Sequence, residues 1–583
     1  MKNISKIISV VKKNKSNSIQ LLIILILTSS LLETFTIGMI IPLISNLTES
    51  NLSGVVVDFF ENFLDILINI DFLNFLNNEN PIFLILGFFI VLIFLKTFIA
   101  VFFSYYKGKF KFNLLNKTAS QIFSKYLNSS YNFFTKENSS VLIRNCTTEV
   151  DIFARSADLL LVLINELVLF FFILTLLLLF DYKATLFSLI FFTFFSFIFI
   201  LLTRKKIMQL GKDRQLYRGK TYQFASETFG AVKEIIMYKK YNYFLNQFID
   251  TYKKINLVNW YGEVLQILPK HMLELLMFLI IFIIIGLNFV LQGNINNIIT
   301  TLAVYAAAGY KLLPSLNRII VSIQQIQLSI PAINVVYDET RSTSFEPLKN
   351  TVNNVVNFEK EIEIKNLTFG YEKNHNILEN LNFKIKKGNI IGIFGKSGAG
   401  KSTLMDLICG LYENYSGVIT IDKKNKENLA VNWENIIGYV PQNTYLFDGS
   451  FEKNIAFGQS VDQIQKDKLN LAIEKSELLE LINSYKEKEK KIIGEKGLSL
   501  SGGQRQRVGI ARAIYKNPQI LILDESLNAL DLDTELKILN LIKKISNITV
   551  IIVSHRMSTL DQCDEIYRVE NKKINLFKSK LSN

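Results

Sequence analysis

A glycine-rich segment in the second half of the chain combines residue types that bind phosphate groups. Residues 395–402 read Gly-Lys-Ser-Gly-Ala-Gly-Lys-Ser, between an apolar strand predicted at 390–394 and a helix predicted from Thr403. Glycines let backbone N–H groups turn inward around phosphate oxygens, and the helix start adds its positive dipole end. In this setting Lys401 reaches the β- and γ-phosphates, and Ser402 offers an oxygen to Mg²⁺. The predicted phosphate-binding loop comprises Gly395, Ser397, Gly398, Ala399, Gly400, Lys401, Ser402 and Thr403.

An apolar strand that ends in two carboxylates supplies the second half of this chemistry. Residues 520–523 are Ile-Leu-Ile-Leu, and Asp524 and Glu525 follow them directly. We expect Asp524 to lie beside Mg²⁺ and Glu525 to act as general base toward an attacking water. The alternatives are a chance glycine-rich turn and a strand that merely ends in solvated acids. Because both segments occur in one domain, we favour the nucleotide site.

The segment 500–504, Leu-Ser-Gly-Gly-Gln, resembles the signature of ABC transporter ATPases. The companion motifs occur in the family's order over residues 359–583: Tyr371 at the adenine-stacking position, the Q-loop Gln442, the D-loop 528–531 and the switch histidine His555. Asn528 and Ser554 depart from the Ser and Ala that are usual in the family at these positions. Neither departure removes a catalytic group, so the resemblance implies an active ATPase.

This resemblance also implies ATP and Mg²⁺ as cofactors and a site shared between two subunits. Two ATP molecules would lie between two such domains, with Ser501 and Gly503 of one subunit closing over the γ-phosphate held by Lys401 of the other. The implied catalytic residues are Glu525, His555, Lys401 and Gln442, and the implied metal ligands are Ser402, Gln442 and Asp524. Tyr371, Ser501, Gly502, Gly503 and Gln504 complete the implied nucleotide contacts.

The first half of the chain is apolar enough to cross a membrane repeatedly. Hydrophobic residues make up 49% of the sequence, and only 20% of its residues are charged. Because a membrane helix needs about 20 apolar residues, we predict six spans, at roughly Ile19–Ile44, Pro81–Phe103, Leu159–Phe180, Ala184–Leu202, Met272–Leu291 and Ile298–Leu316. The first run could instead be a signal peptide. It is too long for one, so we interpret it as a membrane helix.

Membrane topology explains the formal net charge of +14. Lys and Arg are concentrated in residues 1–18, 106–156 and 203–267, whereas residues 46–80 contain six acids and no Lys or Arg. Because cytoplasmic loops carry such a basic excess, six spans put both termini in the cytoplasm. Nucleic acid, the other partner that a basic chain could bind, is not required and is not expected.

These patterns predict an all-α polytopic membrane domain with six transmembrane helices, followed by an α/β P-loop ABC ATPase domain. The membrane domain covers residues 1–330, a polar linker covers 331–358, and the nucleotide-binding domain covers 359–583. An amphipathic helix near 54–77 is predicted to lie on the outer face of the membrane. It either has a function of its own or only caps the helix bundle.

One membrane domain fused to one ATPase domain resembles half of an ABC exporter, which implies a homodimer. The inner connections between spans are long, and two of their segments resemble in position the coupling helices of exporters, Ser129–Ser140 and Ala225–Tyr238. The alternative interpretation of each segment is an ordinary solvated helical turn.

Charged side chains inside the predicted spans indicate where a cargo could bind, because such charges are costly in a bilayer. Glu33 in the first span, and Lys311 and Arg318 near the inner end of the sixth, are the candidate substrate contacts. Two cations that face a dimer cavity suit an anionic head group such as a phosphate. Simple solvation of Lys311 and Arg318 is the alternative.

Segments 32–42 and 310–319, together with the acidic stretch 46–80, resemble PglK-type flippases, which move lipid-linked oligosaccharides for protein glycosylation. The resemblance implies an ATP-driven flippase in the bacterial inner membrane, with membrane lipid around it. It would move a polyprenyl pyrophosphate glycan from the cytoplasmic to the outer face. The alternatives are an exporter of another amphipathic cargo (lipid, peptide or drug), an ATP-gated channel or regulator, and an importer with an exporter-like fold.

Overall fold

The computed structural model describes residues 2–13, 18–39, 59, 62, 81–180, 182–290, 295–341, 358–372, 375–425, 433–494, 497–545 and 547–580. Two compact units are present. The first contains residues 1–129 and 137–345, and the second contains residues 130–136 and 346–583. The first unit is helical and the second is an α/β unit. Each is continuous in sequence, except that the short segment 130–136 belongs to the second unit.

Helices build the first unit, and most of them are long. They are α1 (Lys2–Lys13), α2 (Ser18–Gly38), α3 (Pro81–Leu127), α5 (Ser139–Arg144), α6 (Val150–Phe180), α7 (Tyr182–Gly230), α8 (Val232–Met237), α9 (Tyr241–Val290), α10 (Ile295–Leu328) and α11 (Ile330–Arg341). The helix α4 (Tyr131–Lys136) belongs to the second unit, and a π-helical turn, Asn145–Glu149, precedes α6. Within this unit α2, α3, α6 and α10 share one apolar core, which contains Ile37, Leu92 and Ile173.

Among the described residues, five helices are long and apolar enough to cross a membrane. A sixth candidate consists of the end of α10 together with α11, which are bent by 57° at their junction. The prediction of a polytopic helical domain is therefore confirmed. The helices extend well past the predicted spans, and α3, α7 and α9 have 47, 49 and 50 residues. Hydropathy marks only the apolar part of such a helix, whereas helix-forming polar residues continue it beyond the bilayer.

The predicted linker 331–358 differs from the structure in its first part, which is helical. Helix α11 covers this part, and Ile333 and Val336, three residues apart, are fully buried on one face. Burial of this face stabilises a helix that the polar composition of the segment did not indicate. Residues 342–357 lie outside the described residues, as does most of the predicted amphipathic helix near 54–77.

Two sheets form the frame of the second unit. The strands are β1 (Glu361–Phe369), β2 (Leu378–Lys386), β3 (Ile390–Gly395), β4 (Ser416–Ile421), β5 (Lys424–Asn425), β6 (Ile437–Val440), β7 (Ile520–Asp524), β8 (Thr549–Val553), β9 (Glu565–Glu570) and β10 (Lys573–Ser579). A four-stranded antiparallel sheet has the order β2-β1-β4-β5, and a six-stranded sheet has the order β10-β9-β3-β8-β7-β6. In the larger sheet β9, β3, β8, β7 and β6 are parallel. The carboxyl ends of these strands therefore meet at one edge, where ligands of α/β sheets bind.

Helices cover the larger sheet and connect its strands. They are α12 (Lys401–Cys409), α13 (Phe451–Ile455), α14 (Lys466–Lys475), α15 (Leu479–Asn483), α16 (Gly502–Tyr515), α17 (Leu532–Lys543) and α18 (Met557–Leu560). The strands β7 and β8 are buried along their whole length, as their continuous Ile, Leu and Val runs require in a sheet covered on both faces. The α/β class predicted from the sequence is confirmed.

Candidate functional site

The glycine-rich loop connects the end of β3 to the start of α12. Gly395 must lack a side chain, because an added Cβ would lie 2.3 Å from the carbonyl oxygen of Val569. Gly400 adopts a φ of +98°, a conformation that only glycine adopts without strain. Lys401 is buried, and its Nζ donates to the carbonyl oxygens of Gly395 at 3.0 Å and Lys396 at 3.1 Å. The loop thus encircles its own lysine, with its ammonium group at the centre.

The carboxylate of Asp524 lies at the end of β7, directly beside this loop. Ser402 Oγ donates to Asp524 Oδ1 at 3.3 Å, and the Tyr439 hydroxyl donates to Oδ2 at 3.3 Å. Burial raises the pKa of Asp524 above its usual value, and the two hydrogen bonds oppose this rise. Burial, and secondarily the charge of Asp524, also raises the pKa of Asp406 to about 6. The loop serine and the strand carboxylate are therefore brought together beside the phosphate-binding loop.

Asp406 and Tyr439 are members of this cluster that the motifs did not identify. Asp406 follows Ser402 by four residues on α12, and this spacing puts both side chains on one helix face. Tyr439 lies on β6, the strand paired with β7, opposite Ile522. The helical spacing could have indicated Asp406, whereas Tyr439 required knowledge of the strand order.

Glu525 is the point at which the predicted catalytic residues meet. Gln442 Nε2 donates to Glu525 Oε2 at 2.9 Å, and His555 Nε2 lies 2.8 Å from Oε1. Lys401 Nζ lies 3.7 Å from the same Oε1. Glu525 has a φ of +50°, an uncommon backbone conformation for a non-glycine residue that is often found at functional sites. The three contacts fix the orientation of its carboxylate.

The residues around Asp524 fit a magnesium ion. Mg²⁺ prefers oxygen ligands and is usually bound by one or two carboxylates together with water and substrate phosphates. Ser402 Oγ and the Asp524 carboxylate provide hard oxygen donors close to the phosphate-binding loop. Gln442, the third predicted ligand, has its amide nitrogen hydrogen-bonded to Glu525. A bound Mg²⁺ would neutralise negative charge on the phosphates.

Tyr371, the predicted adenine-stacking residue, lies at the edge of an aromatic cluster. Its side chain is about half exposed, and its hydroxyl shares a 3.0 Å hydrogen bond with Thr403 Oγ1. The buried Tyr412, which the motifs did not identify, contacts the Tyr371 ring edge-on with a centroid distance of 5.5 Å. Tyr131 of α4 contacts Tyr412 at the same centroid distance. An exposed ring held in this way can stack on a base.

The signature segment begins α16. Ser501 is the N-cap residue, and its Oγ accepts a hydrogen bond from the Gln504 backbone N–H at 3.2 Å. The Gln504 side chain accepts in return from the Ser501 N–H at 2.8 Å, which completes a capping box. Ser501 and Gly502 are exposed at the helix start. The positive end of the helix dipole is thus available to an anion outside this subunit.

The three predicted substrate contacts, Glu33, Lys311 and Arg318, lie in two ion-paired clusters of the membrane unit. Glu33 Oε1 lies 2.5 Å from Lys311 Nζ and 2.9 Å from Lys96 Nζ, which joins α2, α3 and α10. Arg318 Nε lies 2.9 Å from Glu166 Oε1, which joins α10 to α6. The two clusters hold three cations and two carboxylates.

Comparisons with known proteins agree with this architecture. The family described as "ABC transporter transmembrane region" matches residues 19–308, and the family described as "ABC transporter" matches residues 378–528. A protein named "ATP-dependent lipid A-core flippase" from Coxiella burnetii is 30% identical over 496 residues, which cover 84% of this chain and 83% of that protein. A protein of the same name from Francisella novicida is 27% identical over 81% of this chain and 80% of its own length.

One further relative is a longer protein. "ABC transporter B family member 1" from Dictyostelium discoideum is 32% identical over 64% of this chain, but the match covers only 41% of that protein. The solved structure of a bacterial Atm1-family ABC exporter with ATP bound has a TM-score of 0.76 and 20% identity, and the match covers 97% of this chain and 96% of that chain. This likeness concerns the fold, which the two chains share over nearly their whole lengths.

Proposed function

This chain belongs to the ABC transporter family, and from this premise we propose that it is a half-transporter, a homodimer that couples ATP hydrolysis to the movement of an anionic lipid. In this proposal it is a multi-pass protein of a bacterial inner membrane, with both termini in the cytoplasm. The cargo moves from the cytoplasmic to the outer face. Exposure of the signature segment supports the homodimer, because Ser501 is available to a nucleotide held by a second copy.

ATP hydrolysis follows from the groups that surround Glu525. Its carboxylate accepts a proton from the attacking water, while Gln442 and His555 each hold one of its two oxygens. Because this orientation is already set within one subunit, little reorganisation is needed when a nucleotide binds. Lys401, once it contacts phosphate oxygens, stabilises the charge that develops on the γ-phosphate.

The observation that carries the cargo assignment is the excess of positive charge in the membrane unit. Within the part of the chain that the structure describes, these two clusters pair three cations, Lys96, Lys311 and Arg318, with two carboxylates, Glu33 and Glu166. A charge left without full compensation is costly in a membrane, so an anionic head group would be stabilised there. Phosphate and pyrophosphate groups suit Lys and Arg in particular.

We infer a lipid-linked oligosaccharide as the cargo, on the resemblance of the first and sixth spans to PglK-type flippases. A lipid A-core type glycolipid is the second candidate, favoured by the two relatives that carry this name. Both are glycans on lipids with phosphate groups, and they differ in the lipid.

A flipping assay in proteoliposomes tests this function. We expect ATP-dependent translocation of a fluorescent polyprenyl-pyrophosphate oligosaccharide, with no movement when ATP is replaced by a non-hydrolysable analogue. Parallel vesicles with a labelled lipid A-core glycolipid distinguish the two candidates. ATP hydrolysis without movement of either lipid contradicts the cargo assignment, and movement from the outer to the cytoplasmic face contradicts the direction.

Lys311 and Arg318 are expected to be needed for cargo movement but not for ATP hydrolysis. Replacing both by Gln removes two charge-assisted contacts, each worth about 1.5–3 kcal/mol, so we expect transport to fall by about a hundredfold or more. The variant Lys311→Arg with Arg318→Lys keeps both charges and should retain transport. Transport by the double Gln variant at the wild-type rate, with ATPase activity unchanged, would contradict the assignment.

A further inference from the structure

Arg556, the residue after the switch histidine, belongs to none of the motifs but contacts three other residues. Arg556 Nη1 lies 2.7 Å from Glu535 Oε2 and donates to the carbonyl oxygen of Leu530 at 3.0 Å. Its Nη2 donates to the carbonyl oxygen of Asn528 at 2.8 Å. One guanidinium group therefore binds two carbonyls of the D-loop and one carboxylate of α17. A planar fork of donors suits such simultaneous contacts, and a lysine ammonium does not.

Glu535 holds this arginine in place. Its carboxylate is almost fully buried, and its second oxygen accepts a hydrogen bond from the Thr559 hydroxyl of α18. A buried carboxylate must be paired and hydrogen-bonded, so the position of Arg556 follows from the packing of α17 against α18. If Arg556 moved away, the buried carboxylate of Glu535 would be left without its cation.

The D-loop held by Arg556 packs against the signature helix. The backbone N–H of Ala529 donates to Gln506 Oε1 of α16 at 3.2 Å. A Cβ added to Gly503 would lie 3.1 Å from the carbonyl oxygen of Ala529, so the two segments have little room to move independently. A shift of the D-loop must therefore shift the start of α16, where Ser501 caps the helix.

These contacts connect two parts of the enzyme that serve different nucleotides. His555, bonded to Glu525, acts at the ATP bound to its own subunit, whereas the signature segment, in the proposed homodimer, closes over the ATP of the partner. We infer that Arg556, positioned by Glu535, couples the hydrolytic site of its own subunit to the signature segment and thereby couples the two ATP sites. The inference rests on the proposed function, since it requires the shared sites of a homodimer.

The test compares Arg556→Lys with wild type in steady-state ATP hydrolysis by the reconstituted full-length protein. Lysine retains the charge opposite Glu535 but cannot bind both carbonyls. We expect the wild type to hydrolyse ATP with a Hill coefficient above 1. In the variant we expect a Hill coefficient of 1 and a kcat lower by about tenfold, within the usual range of coupling between sites. Arg568→Lys, the same substitution at an exposed ion pair with Glu570, is the matched control and should match wild type.

A second variant separates positioning from structural support. Arg556→Met combined with Glu535→Gln removes both charges of the buried ion pair and leaves neither unpaired, so the Tm of this variant should stay near that of wild type. It also removes the D-loop contacts, so we expect cooperativity to be lost all the same. Cooperativity at the wild-type level in either variant overturns the inference, as does a wild type that hydrolyses ATP with a Hill coefficient of 1. A wild type without any ATP hydrolysis overturns the proposed function instead.

Discussion

Replacement of Glu525 by Gln is expected to abolish ATP hydrolysis and lipid movement while ATP still binds. The amide keeps the shape of the carboxylate and can still accept one hydrogen bond from Gln442 or His555, so the site should keep its geometry. It cannot accept a proton from water, and loss of a general base costs about 10²–10⁴ in rate. The change also removes the negative charge that lies 3.7 Å from Lys401 Nζ. Because Lys401 then has no carboxylate competing with phosphate at this position, the substitution favours phosphate binding by Lys401.

The measurement pairs a hydrolysis assay with the binding of a fluorescent ATP analogue. Glu379→Gln is the matched control, because Glu379 is an exposed carboxylate paired with Lys572 on the surface of the same unit. This control should retain hydrolysis and binding. Turnover of the Glu525 variant near the wild-type rate would remove Glu525 from its role as general base. Loss of nucleotide binding would show instead that the carboxylate is needed for the structure of the site.

The nucleotide site was predictable because its geometry is local in sequence. A strand that enters a glycine-rich turn and continues as a helix fixes the relation of Gly395, Lys401 and Ser402 within a few residues. The meeting of Glu525, Gln442 and His555 requires three distant segments, and the family resemblance supplied this relation. Parallel strand order then explains it, because β6, β7 and β8 are neighbours and each of the three residues follows the carboxyl end of one of them.

Contacts between long helices were less predictable. Composition marked Glu33 and Lys311 as unusual charges in apolar spans, but it could not indicate that the Glu33 carboxylate binds both Lys311 and Lys96. The partners come from three helices, and their pairing depends on helix rotation and tilt, which hydropathy does not encode. The same limit applies to Arg556, whose neighbours in sequence do not reveal the buried Glu535.

If the protein is a homodimer with shared nucleotide sites, residues of two different subunits should be close enough to be cross-linked. Ser397 in the phosphate-binding loop and Ser501 at the start of α16 are both exposed. In the proposed homodimer, we expect Ser397 of one subunit to face Ser501 of the other across the bound nucleotide. A chain with Ser397→Cys and Ser501→Cys should therefore form a covalent dimer with a short bifunctional maleimide, in the presence of Mg²⁺-ATP and with Glu525→Gln to retain the nucleotide.

The native cysteines make this experiment practical. Cys409 and Cys563 are buried, and burial raises the pKa of the Cys563 thiol to about 12, which suppresses its reactive thiolate form. Cys146 is partly exposed and is replaced by Ala in all variants.

Variants with only one introduced cysteine are the controls, and a mixture of the two should also form covalent dimers, since each subunit then contributes one thiol. Cross-linking confined to single chains would contradict the shared site, because both thiols would then belong to the same nucleotide pocket. A covalent dimer that depends on ATP requires two subunits at each nucleotide, which is the arrangement through which hydrolysis can move both membrane halves together.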